Sequence, residues 1–331
     1  MTTSMTPGRS CPIAYHYGPA VFRQPAPAHL ADLEVLYVVG GLYGNELALQ
    51  QVLRLFDVES GRKELVFNGD FHWFDADAAT FARIQREVLQ RVALRGNVET
   101  ELAQDTPVSD AGCGCAYPDW VDDGVVDRSN RILQQLWRVT TAAQRAELAA
   151  LPMWQTASVG DLRLGIVHGD AQSLAGWGFA QEHLTDAAHR DQARAWFEQA
   201  GVDAFACSHT CLPVYQRLRR ADGQGQAWVL NNGAAGMPNF QGDSAGLLTR
   251  IATTPLAGSN SRASVVHRTV HIDAVAITLC PAQLQQRFVA QWPPGSDAHA
   301  SYFSRIAAGP DYHAGQVVRF ETEAVLAAAA L

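Results

Sequence analysis

Short apolar runs and helix-like periodicities alternate along the N-terminal third of the chain. Residues 34–39, 66–68 and 91–94 are brief apolar runs that stop at glycine or next to it, which is typical of buried strands. After the first run, apolar residues recur at the spacing of one helix face: Leu49, Val52, Leu53 and Phe56. Strands that alternate with amphipathic helices indicate an α/β fold.

The alternation continues downstream, with a change of rhythm at the end. Residues 162–167 and 204–207 are further buried runs, and helical faces lie at 132–137 and 193–200. Asn45 stands at an expected N-cap, and Thr141 opens a capping box with Gln144. No helical pattern separates the last runs, so we expect them to form a meander: 214–218, 227–230, 247–252 and 265–272.

The pattern divides the chain into a main domain and two flanking segments. Residues 1–30 are rich in proline and alanine without a clear period, which predicts an irregular N-terminal arm. Residues 31–275 carry the α/β pattern, with an insertion at about 100–127 that we interpret as a loop or small cap. Residues 276–331 predict a helical C-terminal extension.

Composition excludes several classes of protein. The chain has 331 residues, 47% hydrophobic and 18% charged, so it can bury a large core and is not expected to be disordered. A net charge of −8 argues against nucleic acid or an anionic membrane as the main partner. No signal peptide and no stretch long enough to span a bilayer are visible, which predicts a cytoplasmic protein. Lys63, the only lysine, lies outside any G-x-x-x-x-G-K-[ST] pattern, which excludes a P-loop.

Polar side chains of related chemistry follow four of the predicted strands. They are a carboxylate, a carboxamide and two imidazoles: Asp70, Asn97, His168 and His209. The carboxyl ends of parallel strands meet at one edge of a sheet, where α/β proteins bind their ligands. Oxygen and imidazole donors together suit a borderline divalent transition metal such as Mn, Zn or Fe. The sequence therefore predicts a metal site at these strand ends.

The order of these motifs resembles that of the calcineurin-like metallophosphoesterase family, in particular its small bacterial phosphodiesterases. The resemblance covers about residues 35–251, and it rests on Gly69-Asp70, Gly96-Asn97, His168-Gly169, Ser208-His209-Thr210-Cys211, Leu151-Pro152 and Asn231-Asn232-Gly233. It implies a two-sheet α/β sandwich flanked by helices. It also implies phosphoester hydrolysis with two metals, which the aspartate of the second motif bridges.

The chain departs from the family at the ligands of one of these metals. The family's first motif is Asp-x-His-Gly-Asn, where this chain has Gly41-Leu42-Tyr43-Gly44-Asn45. By resemblance, the positions of the first metal's own ligands are occupied by Gly41, Tyr43 and Cys211. The ligands of the second metal all match: Asp70, Asn97, His168 and His209. The resemblance therefore implies a divergent member with one metal per chain.

The altered motifs leave three side chains with two interpretations each. The family's third motif carries a histidine that protonates the leaving group, and Val98 takes its place here. His72 is a candidate for that acid or for a further ligand, the alternative being a histidine within an aromatic cluster. Tyr43 and Cys211 are candidates for additional ligands, or they fill the emptied pocket.

Other polar residues are candidates for contacts to a phosphate group or to the ligands. Arg95, Arg128 and Asn130 are candidates for phosphate binding, with ordinary surface pairing as the alternative. Asp170 either orients a ligand imidazole or belongs to a turn. The glycines near residue 40 do not form a dinucleotide-binding turn, because Val39 stands where the first glycine of G-x-G-x-x-G belongs.

These observations lead to two main expectations for function. The first is a metal-dependent hydrolase that acts on a small phosphorylated molecule through one metal and a metal-activated water. The second is a non-catalytic relative that binds a metal or a phosphorylated ligand. Thiol or redox chemistry at the insertion's Cys113-Gly114-Cys115 and at Cys211 is a further alternative.

Overall fold

Two β-sheets, each covered by helices on its outer side, form the framework of the molecule. The computed structural model describes residues 7–24, 29–107, 109–220, 223 and 225–321. The mixed α/β class, with two sheets flanked by helices, is as predicted.

The strands of the described residues fall into one six-stranded and one seven-stranded sheet. They are β1 (Leu30–Leu33), β2 (Val35–Val39), β3 (Lys63–Asn68), β4 (Val92–Leu94), β5 (Trp154–Val159), β6 (Leu162–Val167), β7 (Ala204–Cys207), β8 (Pro213–Arg219), β9 (Gln226–Asn232), β10 (Gly246–Ala252), β11 (Ser261–His267), β12 (Val270–Ile277) and β13 (Val318–Arg319). The sheet orders are β11-β12-β10-β2-β3-β4 and β1-β5-β6-β7-β9-β8-β13. Strands β2, β3 and β4 run parallel, and so do β6 and β7.

The helices cover the outer faces of the sheets. They are α1 (Glu46–Asp57), α2 (Ala78–Val88), α3 (Asn97–Leu102), α4 (Asp123–Val139), α5 (Ala142–Ala149), α6 (Ala187–Ala200), α7 (Pro281–Gln291) and α8 (Asp297–Ala308). Asn45 caps α1 by accepting hydrogen bonds from two backbone N–H groups, and Thr141 caps α5 in a capping box, both as predicted.

The core has one apolar layer between the sheets and one outside each sheet. Along β2, Leu36 points into the layer between the sheets, whereas Tyr37 packs with the helices outside the six-stranded sheet. Outside the seven-stranded sheet, Trp196 of α6 packs together with Phe22 of the N-terminal arm. The buried Asn68 joins the two sheets where β3 ends, because its Nδ2 donates to the carbonyl of Val167 at the end of β6 (2.6 Å).

The predicted meander is wrong, because its strands belong to two different sheets. Strands β8 and β9 form a hairpin in the seven-stranded sheet, whereas β10, β11 and β12 lie in the six-stranded sheet. The run at 265–272, predicted as one strand, contains a hairpin turn at Arg268, whose φ is 54°. Local periodicity does not specify which sheet a strand joins, since that depends on long-range pairing.

The flanking segments are more closely integrated with the core than their composition suggests. Residues 7–24 contain two short 3-10 helices (Ile13–Tyr15 and Pro19–Arg23), and residues 1–6 and 25–28 of the arm lie outside the described residues. The C-terminal extension contains α7 and α8, but also β13, which pairs with β8; residues 322–331 lie outside the described part. In the insertion, the described residues of 103–122 contain no helix or strand.

Candidate metal centre

A tight backbone arrangement fixes Asp70 at the end of β3. Asp70 has a φ of 50°, in the left-handed region that residues other than glycine seldom adopt. The buried Glu99 holds it there, because its Oε2 accepts hydrogen bonds from the backbone N–H groups of both Asp70 and Gly96 (2.8 Å each). A Cβ atom at Gly96 would lie 2.2 Å from Asp70 Oδ1, so the close approach requires glycine at 96.

Four buried side chains bring one donor atom each to a common point beyond β3, β6 and β7. These atoms are Asp70 Oδ2, Asn97 Oδ1, His168 Nε2 and His209 Nδ1. His168 Nε2 lies 3.3 Å from the Asp70 oxygen, 3.2 Å from the Asn97 oxygen and 3.2 Å from the His209 nitrogen. Asp70, His168 and His209 each offer a ligand atom, all within 4.8 Å of one another, and could therefore hold a metal ion.

Backbone carbonyls determine which nitrogen of each imidazole faces this point. His168 Nδ1 lies 3.0 Å from the carbonyl oxygen of Asn68, and His209 Nε2 lies 3.2 Å from that of Cys115. A carbonyl oxygen can only accept, so both of these nitrogens carry the proton. In the neutral rings, the remaining nitrogens therefore present lone pairs to the common point.

The two oxygen donors are oriented in the same manner. Asn97 Nδ2 donates to the carbonyl of Cys113 (2.9 Å), which turns Oδ1 inward. Asp70 Oδ1 accepts from the backbone N–H of Val98 (3.1 Å), which leaves Oδ2 facing the histidines. With neutral rings, the four atoms around the common point are all hydrogen-bond acceptors, and none of them brings a proton to share. A cation at this point would stabilise the arrangement.

The pKa shifts favour a charged carboxylate at Asp70 and a neutral imidazole at His209. Burial raises the pKa of Asp70, but the charge and hydrogen bond of His168 outweigh it and the net pKa is lowered. Burial lowers the pKa of His168, but Asp70 outweighs it and the net pKa is raised. Burial, and next the charge of His168, lower the pKa of His209 to about 4, so its Nδ1 lone pair is free at neutral pH.

Tyr43 and Cys211 occupy space next to this cluster and contact each other. Tyr43 Oη lies 2.8 Å from Cys211 Sγ, and the tyrosine ring lies so close to Gly41 that a Cβ atom there would be 2.8 Å from it. Burial, followed by the neighbouring Cys211 and Asp70, raises the pKa of Tyr43 well above its usual value. Burial also raises the pKa of Cys211. Both groups therefore keep their protons at neutral pH.

His72 lies in the core and not in the wall of the cavity at this site. Its Nδ1 pairs with Asp75 Oδ2 (2.5 Å), and its ring stacks on Phe81 with centroids 3.6 Å apart. The side chain is fully buried, and its Nε2 has no partner among the described residues. The structure thus does not bring His72 to the donor atoms of the cluster, and it corresponds to the aromatic-cluster interpretation.

The three candidate phosphate-binding residues do not converge. Arg95 bonds the carbonyl of Ala149 at the end of α5, and Asn130 holds the insertion by accepting from the backbone N–H of Cys113 (2.9 Å). Arg128 is the nearest to the cavity, since its Nε donates to Ser301 Oγ (2.7 Å) and Ser301 is part of the cavity wall. None of the three side chains lines the cavity itself.

Asp170 is a turn residue. Its Oδ1 accepts from the backbone N–H groups of Gln172 and Ser173, and its Oδ2 accepts from that of Gly178. These bonds shape the loop that follows β6 and positions Trp177.

A cavity of about 230 Å³ opens onto the cluster. Its wall consists of Tyr43, Asp70, Trp73, Asn97, Val98, Cys115, Tyr117, Val125, Trp177, His209, Thr210, Cys211, Met237, Ser301 and Tyr302. Sequence reasoning did not identify the role of Trp73, Tyr117, Trp177 or Tyr302. These aromatic residues come from four separate segments, and no local pattern shows that they meet.

Comparison with known proteins identifies the fold. No protein-family model and no curated protein matches the chain. A solved structure of a hypothetical protein from Pyrococcus horikoshii OT3 aligns with a TM-score of 0.54 and 12% identity, covering 84% of this chain and 99% of that one. A metallophosphoesterase from Sphaerobacter thermophilus aligns with a TM-score of 0.54 and 15% identity, covering 83% of this chain and all of that one (100%). The chain therefore has a metallophosphoesterase-like fold.

The helices give no sign of a membrane span. Among the described residues, no helix has both the length and the apolar character needed to cross a bilayer.

Proposed function

We propose that the protein is a metal-dependent phosphoesterase with one divalent transition metal, Mn, Zn or Fe, held by Asp70, Asn97, His168 and His209. The observation that carries the proposal is the convergence of four ligand atoms from buried side chains, each oriented by a hydrogen bond that the other polar atom of the same side chain donates or, in Asp70, accepts. Two imidazoles, a carboxylate and a carboxamide are a donor set that such metals accept. The metallophosphoesterase-like fold supports phosphoester chemistry at this site.

The chain's own residues prepare the site for hydrolysis. When bound, the ion would polarise a phosphoryl oxygen and lower the pKa of a water molecule. The carbonyls of Asn68 and Cys115 hold the imidazoles in the tautomer that a metal needs. Glu99 fixes the backbone of Asp70, so that the carboxylate does not have to reorganise when the ion binds. Hydrolysis adds hydroxide to phosphorus and a proton to the departing oxygen.

Among the described residues of the cavity wall, none is suited to give a proton to the departing oxygen. Tyr43 lines the cavity, but burial and its neighbours raise its pKa, so it can donate a hydrogen bond but is a weak acid. His72 is buried against Phe81 and does not reach the cavity. Substrates whose leaving group needs little protonation, such as aryl phosphoesters, are therefore the expected substrates.

We also propose that Tyr43 and Cys211 fill the space in which the resembled family binds its first metal, and that they do not bind a second ion. Their mutual contact supports this, because Tyr43 Oη and Cys211 Sγ are engaged with each other. Cys211 is also absent from the group of potential ligands around Asp70.

A non-catalytic protein that binds a metal and a phosphorylated ligand is the second candidate. It is favoured by the cavity wall itself, in which the described residues include no lysine or arginine and no histidine besides His209. The lack of an obvious acid among these residues is what would be expected of a protein that binds its ligand without turnover.

Turnover of chromogenic esters by metal-loaded protein separates the two candidates. We expect the protein to hydrolyse p-nitrophenyl phosphoesters with Mn, Zn or Fe. Asp70→Ala and His209→Ala should each lower kcat/KM about a thousandfold, since metal activation contributes several kcal/mol. His72→Gln is the matched control, because it alters a buried histidine outside the cluster. A stoichiometric metal with no turnover of any ester would support the binding protein, and the absence of metal binding would contradict both.

A further inference from the structure

One arginine of helix α8 lies directly behind the wall of the cavity next to the candidate metal centre. Arg305 Nη2 donates to the carbonyl of Cys211 (2.7 Å), and its Nε donates to the carbonyl of Pro238 (2.9 Å). Cys211 lines the cavity, and so does Tyr302, which precedes Arg305 by about one turn of α8. Arg305 itself is not part of the wall, so a ligand in the cavity would lie near its guanidinium group without contacting it.

The protein does not neutralise the charge of this guanidinium group. Arg305 forms no ion pair with a carboxylate among the described residues. Burial lowers its pKa, and the groups that act against burial are Cys211, Tyr43 and Tyr302, none of which is a carboxylate. The two carbonyls that it contacts are neutral acceptors, so they leave its charge of +1 in place. A partly buried charge without a counter-ion is unfavourable, and an anion in the adjacent cavity would provide one.

The side chains between Arg305 and the cavity are uncharged and cannot cancel its field. Tyr43 Oη and Cys211 Sγ lie 2.8 Å apart, and both side chains line the cavity. Burial contributes most to their raised pKa values, so both keep their protons at neutral pH. Arg305 lowers these two pKa values and Asp70 raises them, which places both groups within reach of the two opposite charges. A wall of apolar and aromatic side chains screens such a field less than water does.

A second guanidinium group near the wall has acidic neighbours. Arg128 Nε donates to Ser301 Oγ (2.7 Å), and Ser301 is part of the wall. The first two turns of its helix and the preceding cap carry exposed aspartates: Asp122, Asp123 and Asp127. Negative charge therefore accompanies Arg128, whereas no acidic group is among those that act on the pKa of Arg305.

The charges at the metal end of the cavity add up to about +2. A divalent ion bound through neutral imidazoles contributes +2, and the carboxylate of Asp70 contributes −1. Arg305 adds +1 from behind the wall. A group with two negative charges balances this sum, whereas a group with one leaves positive charge uncompensated.

We propose that Arg305 is a specificity-determining residue of this cavity. Its charge acts across Tyr43 and Cys211 and raises the affinity for an anionic group with each negative charge that the group carries. The inference rests on the metal-dependent function proposed above, and it adds a residue outside the cavity wall that selects the charge of the ligand.

Anion binding to the cobalt-loaded protein measures this selection without turnover. Sulfate and methanesulfonate are both tetrahedral at sulfur but carry two charges and one, and the visible absorption of cobalt reports their dissociation constants at constant ionic strength. We expect the wild type to bind sulfate at least about tenfold more tightly than methanesulfonate, and Arg305→Gln to lower this ratio about fivefold. Arg305→Lys, which keeps the charge, should stay within about twofold of the wild-type ratio.

Two controls separate the charge of Arg305 from structural damage and from net charge. Imidazole, a neutral metal ligand at about pH 8, should bind all variants within about twofold of the wild type. Arg287→Gln removes a cation that is paired with Glu46 Oε2 (2.9 Å), and it should leave the ratio of sulfate to methanesulfonate affinity within about twofold.

Several results would overturn the inference. A wild-type ratio near one would do so without any variant, and so would an unchanged ratio in Arg305→Gln with cobalt content and circular dichroism like the wild type. A lysine variant that loses the preference would show that the hydrogen bonds of Arg305 matter and its charge does not. An equal loss in Arg287→Gln would assign the preference to the net charge of the protein. If Arg305→Gln does not fold, the wild-type ratio and the lysine variant still decide the question.

Turnover of p-nitrophenyl phosphoesters by the same samples distinguishes this inference from the proposed function. Hydrolysis, together with a ratio that Arg305→Gln leaves unchanged, would support the phosphoesterase and overturn the inference. A ratio that depends on Arg305, without hydrolysis of any ester, would support the inference and contradict the phosphoesterase. The absence of cobalt binding would contradict both.

Discussion

Replacing His209 with glutamine removes one of the donor atoms of the candidate metal centre, whereas the same replacement at His72 leaves all of them in place. Both histidines are buried, but their environments differ. His209 Nδ1 faces His168 Nε2 at 3.2 Å, whereas His72 Nδ1 is paired with Asp75. We therefore expect His209→Gln to lose most of the stabilisation that a metal confers, and His72→Gln to retain it.

The size of the effect follows from linkage between binding and folding. A metal that binds only the folded state at a hundredfold excess over its Kd stabilises the protein by about 2.7 kcal/mol. If the loss of one ligand weakens binding about a hundredfold, the same metal concentration contributes only ~0.4 kcal/mol. Since ~1 kcal/mol shifts the Tm of a large domain by roughly 2–4 °C, the wild type should gain roughly 5–10 °C and His209→Gln about 1 °C.

Thermal unfolding with and without zinc or manganese, after treatment with a chelator, measures these shifts. His72→Gln should unfold at a lower temperature than the wild type because it loses a buried ring stacked on Phe81, yet show the full metal-induced increase. An equal shift for the wild type and His209→Gln would refute the assignment of this ligand. A shift that is lost only in His72→Gln would move the metal to a different site.

Three further changes test the surroundings of the site and the fold. Gly41→Ala places a Cβ atom 2.8 Å from the Tyr43 ring and should lower the free energy of unfolding in urea by about 1–3 kcal/mol. In the Tyr43→Ala background, the same change should cost about 1–2 kcal/mol less, because the clash is gone. Equal costs in both backgrounds would contradict the contact. Phe22→Ala should lower the free energy of unfolding by about 3–5 kcal/mol, because this fully buried ring joins the arm to the core; a change below about 0.5 kcal/mol would contradict that role. Burial raises the pKa of Glu59, but hydrogen bonding to Arg250 and other neighbours outweighs it, so the net pKa is lowered from 4.5. The stabilising contribution of Glu59 should therefore be present above pH 4.5 and be lost as the pH falls through the lower folded-state pKa. Glu59→Gln should weaken this dependence of the unfolding free energy on pH. An unchanged pH profile in the variant would contradict the role of Glu59.

The sequence was sufficient to predict that His168 and His209 lie close together, because they follow β6 and β7, parallel neighbours whose carboxyl ends meet at one edge. Asp70 follows β3 of the other sheet, so its approach to the histidines depends on how the two sheets pack, which strand order does not specify. Asn97 was predicted beyond a strand end, and it is in fact the first residue of α3, directly after the turn at Gly96.

The position of His72 cannot be predicted from strand ends in this way. Two residues after Asp70, it would share a face with that residue in a regular strand. The left-handed φ of Asp70 breaks the alternation, and His72 turns into the core instead. A similar turn at Arg268 divides a run that was predicted as one strand. Arginine and aspartate at positive φ do not carry the glycine signal by which such turns are usually recognised.

The cavity wall could not be predicted from any local pattern. Trp177 and Tyr302 lie far apart in the chain and belong to a loop and to helix α8. They line the same cavity only because the C-terminal helices pack beside the site. The polar contacts that orient the histidines are backbone carbonyls, at Asn68 and Cys115, and backbone atoms carry no residue-specific signal in the sequence.

Anomalous diffraction from crystals soaked in zinc is the most direct test of the central claim. We predict one strong peak per chain, at about 2.0–2.2 Å from Asp70 Oδ2, Asn97 Oδ1, His168 Nε2 and His209 Nδ1. A peak between Tyr43 and Cys211 would show that a second metal site has been rebuilt. No peak at the four-residue cluster would contradict the metal centre on which the proposed function rests.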